Sequence, residues 1–176
     1  MAIGQKMMPG DPLDPKTQMG AMVDETQTKR VMGYIDAGQK EGATLRMGGK
    51  QVHVDNAGSF IEPTVFDGVD NKMKIAQEEI FGPVLSVIPV KDAEQALSVA
   101  NDTIYGLASA IFTSDINKAF KFAKGLRAGS VWVNTYDGGD ITTPFGGYKQ
   151  SGIGRDKSLH AFDKFTQVKT TWIQLG

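Results

Sequence analysis

The most informative stretch of this sequence is TPFGGYKQSGIGR, residues 143–155, which has neither helical nor strand periodicity. Its glycines, Gly146, Gly147, Gly152 and Gly154, allow positive φ angles and close backbone approach. The stretch therefore predicts a long shaped loop, and loops of this length are more often functional than idle. A glycine-rich surface crossover is the alternative. A phosphate-binding loop is excluded, because the Gly-Lys-Ser/Thr ending of a P-loop and the third glycine of a dinucleotide fingerprint are both missing.

The composition is typical of one ordinary globular domain. The chain has 176 residues, of which 40% are hydrophobic and 22% charged, which is long enough for a sizeable core. Its net charge of -1 gives no strong field for nucleic acid or an anionic membrane. No apolar run approaches the ~18–20 residues of a membrane span. We therefore expect a cytoplasmic protein without nucleic-acid or membrane partners.

Cysteine is absent from the sequence. The chain therefore has no disulfide, no thiolate metal ligand and no cysteine nucleophile. The two histidines, His53 and His160, lie outside every motif, and a lone histidine in such a position is expected to be solvated or packed. We expect no metal site and no catalytic residue within this chain.

Three helices are predicted from capping residues followed by apolar periodicity. They are expected at about 25–41, 93–101 and 116–125, with capping boxes Asp24/Gln27 and Asp92/Gln95 and a third cap at Ser114 or Asp115. The predicted buried positions are Val31, Tyr34, Ile35 and Gly38 in the first helix, Ala93, Ala96, Leu97 and Ala100 in the second, and Ile116, Ala119, Phe120 and Ala123 in the third. A short helix is also expected around 156–162.

Strands are predicted between these helices. They are expected at 44–47, at 60–69 with an interruption at Pro63, at 84–90, at a buried 107–112 and at 130–134. The alternation of strand and helix from Val84 to Val133 is typical of a parallel arrangement. We expect an α/β fold, with a mostly parallel open sheet and helices on both faces. The alternating residues 165–173 predict a half-exposed terminal strand that is free to pair with another edge.

Several longer motifs occur in register along the chain. They are GDPLDP at 10–15, IEPTVF at 61–66, EEIFGPV at 78–84, NDTIYGL at 101–107, AGSVWVN at 128–134 and PFGGYKQSGIGRD at 144–156. Together they resemble the aldehyde dehydrogenase superfamily, and most of all its bacterial aminoaldehyde and γ-glutamyl-aminobutyraldehyde enzymes. The resemblance implies an irregular leader at 1–22, the C-terminal part of the catalytic domain at 23–163 and a terminal assembly strand at 164–176.

The resemblance also implies a reaction. In the family a cysteine thiolate attacks the aldehyde, hydride passes to the nicotinamide and the thioester is hydrolysed. The cysteine and the Rossmann-type NAD(P) domain lie upstream of the part that matches this chain. We therefore expect a C-terminal fragment of an NAD(P)-dependent enzyme, inactive and without tight NAD or NADP binding by itself. The alternatives are a stand-alone, non-catalytic module that binds partners through its terminal strand, and a split enzyme completed by a separate polypeptide.

Family roles for individual residues follow from the motifs. Glu79 would accept hydrogen bonds from the nicotinamide ribose, since a carboxylate offers acceptors to a vicinal diol, and Phe81 would flank the ring. A merely charged turn at Glu78 and Glu79 is the alternative, and Glu78 is a less favoured candidate base.

The predicted aldehyde tunnel is lined from residues 136–145. Phe145 would line the tunnel or pack beneath the glycine loop. Gly139 stands where relatives often carry a bulky aromatic, which predicts a roomier mouth. Asp137 and Asp140 suggest an aldehyde with an amino or ammonium group, although both acids are equally compatible with a solvated loop.

The resemblance predicts a homo-oligomer, either a dimer or a tetramer. Arg155 corresponds to an arginine at a subunit contact, and Gln167 stands where many relatives carry an acid, so that a neutral hydrogen bond would replace an ion pair. The strand around Val168 would dock on a neighbouring subunit, or form an edge strand of its own chain. Without its upstream half the chain is expected to expose apolar surface and to self-associate.

Overall fold

The longest helix, α1 (Glu25–Lys40), follows the sequence prediction closely in a computed structural model that describes residues 1–54 and 57–176. Its N-cap is Asp24, whose carboxylate accepts the backbone N–H of Gln27 at 2.7 Å. The predicted face is buried, and it also includes Thr28. The reciprocal half of the capping box is absent, because the Gln27 side chain bonds to a distant turn instead.

The chain divides into two compact units, Met1–Lys91 and Asp92–Gly176. The division falls directly before Asp92, the N-cap of the next helix. No glycine- or serine-rich linker marks it in the sequence, which is why residues 23–163 were predicted as one region. The leader at 1–22 is irregular apart from a 3-10 turn at Gly4–Lys6. Within the described residues, no helix is long and apolar enough to cross a bilayer.

The first unit combines α1 with two small sheets. Its other elements are β1 (Thr44–Met47), β2 (Gln51–Val54), β3 (Ala57–Ile61), β4 (Thr64–Asp67), α2 (Lys74–Gln77) and β5 (Val84–Ser86). Strand β4 pairs antiparallel with β1 and parallel with β5, and β2 pairs antiparallel with β3. Val31 and Ile35 of α1 are completely buried in one core with Phe66 of β4. Burial of each such side chain contributes about 1.5–3 kcal/mol.

The second unit contains the expected strand–helix–strand arrangement. Its elements are α3 (Ala93–Asn101), β6 (Ala108–Ile111), α4 (Ile116–Gly125) and β7 (Ser130–Val133). Strands β6 and β7 are parallel, with Ala108 opposite Ser130 and Ile111 opposite Val133. Two 3-10 turns follow, at Lys149–Ser151 and Leu159–Lys164, the second of which takes the place of the predicted helix at 156–162.

The α/β class is confirmed, and each unit contains one parallel strand pair. The strands are distributed over three small sheets, and the sequence pattern did not predict the pairing of β2 with β3. Strand β5 is shorter than the predicted 84–90, because its register with β4 ends at Phe66 opposite Ser86.

Burial in the second unit corrects three predictions. In α4 the buried side chains are Ala119 and Phe122, whereas Ile116 and Phe120 are 64% and 60% exposed and Ala123 is also exposed. In α3 no residue is fully buried, and Ala100 is exposed. Strand β6 is half-buried instead of buried, and Leu107 and Phe112 beside it are exposed. Apolar spacing identifies a possible buried stripe, but a helix that is apolar on two sides offers more than one.

The terminal strand predicted at 165–173 does not form within this chain. Residues 166–176 have no regular secondary structure and are exposed. A strand requires a partner edge for its backbone hydrogen bonds, and none of the described strands pairs with this segment.

Candidate functional site

The turn at 78–83, between α2 and β5, is tied to α1 by side chains. The Tyr34 hydroxyl donates to Oε2 of Glu78 at 2.8 Å. The side-chain amide of Gln27 donates to the carbonyl oxygens of Ile80 and Phe81, at 3.2 and 3.0 Å. Residues about 50 positions apart in sequence are thereby held together in one unit.

Close packing fixes the same turn. Ile80 is buried in the core, and a Cβ added to Gly82 would lie 2.6 Å from a methyl carbon of Val31, so only glycine permits this approach to α1. Phe81 has a φ of 55° and its side chain is 72% exposed. A left-handed backbone costs a non-glycine residue about 1–2 kcal/mol, which the contacts on either side must offset.

The two adjacent glutamates have different environments. Glu78 accepts the Tyr34 hydroxyl and lies 4.0 Å from the Lys74 ammonium, so its carboxylate is occupied by structural contacts. Glu79 is exposed, and among the described residues no side chain or backbone group donates to its carboxylate. The predicted cofactor contacts Glu79 and Phe81 are therefore both displayed from one restrained turn, whereas the Glu78 carboxylate is engaged by Tyr34 and Lys74.

The second unit contains a cavity of about 580 Å³ that brings together three of the four predicted substrate residues. Asp137, Gly139 and Phe145 line it, together with Trp132, Thr143 and Lys157. This volume lies within the range of about 300–1,000 Å³ that is usual for small-molecule sites. Its lining combines aromatic side chains with polar and charged groups, which suits a small polar organic molecule.

The long loop reaches the cavity by folding back on itself. Phe145 and Asp156 exchange backbone hydrogen bonds, at 2.8 and 2.6 Å. The backbone of the loop also passes close to the start of β7, because a Cβ on Gly129 would lie 1.6 Å from the carbonyl oxygen of Gly146. The prediction of a shaped loop at 143–155 is consistent with this geometry.

Trp132 of β7 also lines the cavity. Its indole N–H donates to the carbonyl oxygen of Gly138, and its ring centroid lies 5.3 Å from that of Tyr136. Asp137, which lies between Tyr136 and Gly138 in the sequence, adopts a φ of 57°. These contacts hold Asp137 in position at the cavity.

Lys157 is a lining residue that sequence reasoning missed. Its ammonium group lies 5.6 Å from the centroid of the Phe145 ring, within the range of a cation–π contact. The backbone pairing of Phe145 with Asp156 brings its neighbour Lys157 to the cavity. No local pattern in the sequence indicates this, since the pairing joins residues eleven positions apart.

Asp140 is not among the residues that line the cavity. Its carboxylate accepts the hydroxyl of Thr142 at 2.5 Å and the backbone N–H of Thr142 at 2.7 Å. These bonds, with a smaller contribution from the charge of Lys157, lower the pKa of Asp140. Asp140 stabilises a local turn here, which is the solvated-loop alternative considered above.

The residues predicted at a subunit contact differ in whether they bond within their own chain. The Arg155 guanidinium donates to the carbonyl oxygens of Gly147 and Gly154, at 3.0 and 2.7 Å, and lies over the Tyr148 ring. Arg155 thus stabilises its own loop. Gln167 and Val168 lie in the exposed terminal segment.

The histidines have local partners. His53 contacts the carbonyl oxygen of Gly58 at 3.2 Å, and His160 lies 3.3 Å from the carboxylate of Asp163, both at exposed positions. Across residues 1–54 and 57–176, no group of three histidine or acidic side chains is arranged to hold a metal ion.

Comparison with known proteins gives one consistent result. Residues 2–171 match the model of the aldehyde dehydrogenase family. The NADP/NAD-dependent aldehyde dehydrogenase PuuC of Escherichia coli K12 is 49% identical over 173 residues, which are 97% of this chain and 34% of that protein. The chain therefore spans about a third of the length of this relative.

Solved structures agree with the fold. The aldehyde dehydrogenase KauB of Pseudomonas aeruginosa superposes with a TM-score of 0.94 at 62% identity, over 97% of this chain and 34% of that one. The indole-3-acetaldehyde dehydrogenase AldA of P. syringae, in complex with NAD⁺ and IAA, also has a TM-score of 0.94, at 60% identity and with the same coverage.

Proposed function

The chain belongs to the aldehyde dehydrogenase family, and from that premise we propose that it forms the C-terminal part of the catalytic domain of an NAD(P)-dependent enzyme that oxidises an aldehyde to a carboxylic acid. The observation that carries this proposal is the restrained turn at 78–83, which displays Glu79 and Phe81 while tying Glu78 to Tyr34. A turn that only carried surface charge would not require the buried Ile80 or the left-handed backbone of Phe81.

The cofactor contacts that we propose are Glu79 and Phe81. The Glu79 carboxylate has its acceptors unused within the described residues, which suits a pair of ribose hydroxyls. The exposed Phe81 ring offers an apolar face to a nicotinamide. A nicotinamide cofactor, when bound, supplies the hydride acceptor for aldehyde oxidation.

We propose that this chain alone does not oxidise aldehydes. It contains no cysteine, so the thiolate that would attack the aldehyde must come from other polypeptide. Tight binding of NAD or NADP is likewise expected only in the complete enzyme. The cytoplasmic location expected from the composition stays a prediction.

The aldehyde is proposed to occupy the cavity at Asp137, Gly139 and Phe145. Asp137 favours an ammonium-bearing aldehyde, whereas the Lys157 ammonium in the same cavity opposes one. Kinetics with matched ammonium-bearing and plain aliphatic aldehydes in the complete enzyme would decide. A higher kcat/KM for the aliphatic aldehydes would contradict the ammonium preference.

We propose that subunits associate through the terminal segment, as a dimer or a tetramer, with Gln167 and Val168 at the contact. The support is the exposure of this alternating segment, in which Trp172 is 89% exposed. Arg155 is proposed at the same contact, presented by the glycine loop that it stabilises. The second candidate function is a non-catalytic module that assembles through this segment. It predicts that the chain associates and that substitution of Glu79 has no effect on cofactor binding.

The test compares a full-length polypeptide carrying this chain with the 176-residue chain alone, by formation of NAD(P)H in the presence of an aldehyde. We expect turnover only from the full-length protein. In it, Glu79→Gln should raise the cofactor dissociation constant about tenfold, because a charge-assisted hydrogen-bond acceptor is lost. The matched control is Glu62→Gln, which removes the same charge elsewhere in the first unit. Equal behaviour of the two variants would refute the cofactor assignment.

A further inference from the structure

We propose that Gln27 is a positioning residue, which sets the backbone of the turn at 78–83 so that Glu79 and Phe81 face the cofactor; this inference rests on the function proposed above. Gln27 lies in the first turn of α1 and touches neither of those side chains in any described hydrogen bond. Its side chain instead bonds to the backbone carbonyl groups of Ile80 and Phe81.

The two hydrogen bonds of Gln27 select one backbone conformation. A side-chain amide carries two N–H donors, and here they reach the successive carbonyl oxygens of Ile80 and Phe81. In an extended segment successive carbonyl groups alternate in direction, so one amide cannot reach both. The left-handed φ of Phe81 turns the two carbonyls toward the same donor.

The other contacts do not perform this role. Tyr34 holds the side chain of Glu78, before the bend, and Gly82 packs against Val31 after it. The Arg30 guanidinium reaches the Glu79 carbonyl oxygen at 3.4 Å, which is long for a hydrogen bond. Among the described hydrogen bonds, those of Gln27 alone join α1 to the carbonyl groups of Ile80 and Phe81.

Gln27 is itself held in place. Its backbone N–H bonds to the Asp24 carboxylate at 2.7 Å, which fixes the start of the helix independently of the Gln27 side chain. A substitution that changes only the amide therefore leaves the cap intact. Glutamate at this position has the same length but directs a carboxylate oxygen, an acceptor, at the two carbonyl oxygens.

The test uses Gln27→Glu, with Gln39→Glu as the matched control, because Gln39 lies on the same helix and is exposed. On the 176-residue chain, amide hydrogen exchange of residues 78–84 is followed by mass spectrometry. We expect faster exchange of this turn in Gln27→Glu and unchanged exchange in Gln39→Glu. In the full-length protein we expect the NADH dissociation constant to rise about three- to tenfold in Gln27→Glu only.

The outcomes separate this inference from the proposed function. Unchanged exchange of residues 78–84 in Gln27→Glu overturns the positioning role. Faster exchange with unchanged NADH affinity also overturns it, provided that Glu79→Gln still weakens binding. If neither Glu79→Gln nor Gln27→Glu alters NADH affinity, the cofactor assignment fails and the positioning role fails with it. Faster exchange together with weaker binding supports the inference.

Discussion

Single residues of this chain store backbone strain in two places. One is Phe81, and the other is the segment at 134–158, which holds the remaining five non-glycine residues with positive φ in the described chain, namely Asn134, Asp137, Lys149, Lys157 and Ser158. Such residues persist only where their surroundings fix them, and they are often found at functional sites. Asp137 and Lys157 both line the cavity, which fits this tendency.

Substitutions of Phe81 should reveal the strain directly. The exposed ring contributes little packing, so Phe81→Gly, which adopts a φ of 55° without a Cβ penalty, should remain within about 1 kcal/mol of the wild type. The β-branched Phe81→Val should be less stable than the glycine variant by about 1–2 kcal/mol. Urea unfolding of the chain measures both, and equal stability of the two variants would argue against a strained turn.

The ionisation of Asp140 should depend on Thr142. The side-chain and backbone bonds of Thr142 lower the pKa of Asp140, so these bonds favour folding above the ordinary aspartate pKa of about 3.9 and lose their effect as the pH falls through the lower, folded value. In Thr142→Val the hydroxyl bond is lost, and the Asp140 pKa should move back toward its ordinary value. An NMR titration of Asp140 in the wild-type protein and in Thr142→Val measures this.

At the scale of elements, the sequence predicted local features well and long-range pairings poorly. The caps Asp24, Asp92 and Asp115 stand where their sequences indicate, because a cap bonds only to the next few residues. The buried face predicted for α4 was partly wrong: Ala119 is buried as predicted, but its buried neighbour is Phe122, whereas Ile116 and Phe120 are exposed. The site shows the same division: the motifs indicated Phe145 and Glu79, whereas Lys157 joins the cavity only through a long-range strand pairing.

The loop element offers a test of close backbone packing. In Gly129→Ala the new methyl group would overlap the carbonyl oxygen of Gly146, and backbone cannot move aside cheaply. We expect a loss of about 1–3 kcal/mol of unfolding free energy. Gly138→Ala is the control, because its methyl would make ordinary contacts with Thr135. Chemical denaturation of both variants provides the measurement, and a stable Gly129→Ala would show that the loop can shift.

The whole chain carries many large apolar side chains that are exposed to solvent. Among them are Phe112 and Phe120 of the second unit and Val168 and Trp172 of the terminal segment. Exposed apolar area on this scale favours association.

We therefore expect the 176-residue chain to form assemblies in solution, with an average mass that rises with concentration. Val168→Asp should lower that mass, because a carboxylate replaces a fully exposed apolar side chain in the terminal segment. Gln174→Asp adds the same charge at a polar position nearby and should have a smaller effect. Light scattering tests all three proteins, and a wild-type chain that stays monomeric at high concentration would contradict the expectation.

The two tryptophans of the chain occupy very different places. Trp132 lies in the wall of the cavity with its indole N–H bonded, whereas Trp172 is almost fully solvated in the terminal segment. Intrinsic fluorescence therefore contains two separable signals. Iodide should quench Trp172 more strongly than the half-buried Trp132, so that the more strongly quenched component reports on whatever covers the terminal segment and the less quenched one on occupation of the cavity. The molecule carries its own optical probes for subunit contact and for ligand entry, with no label added.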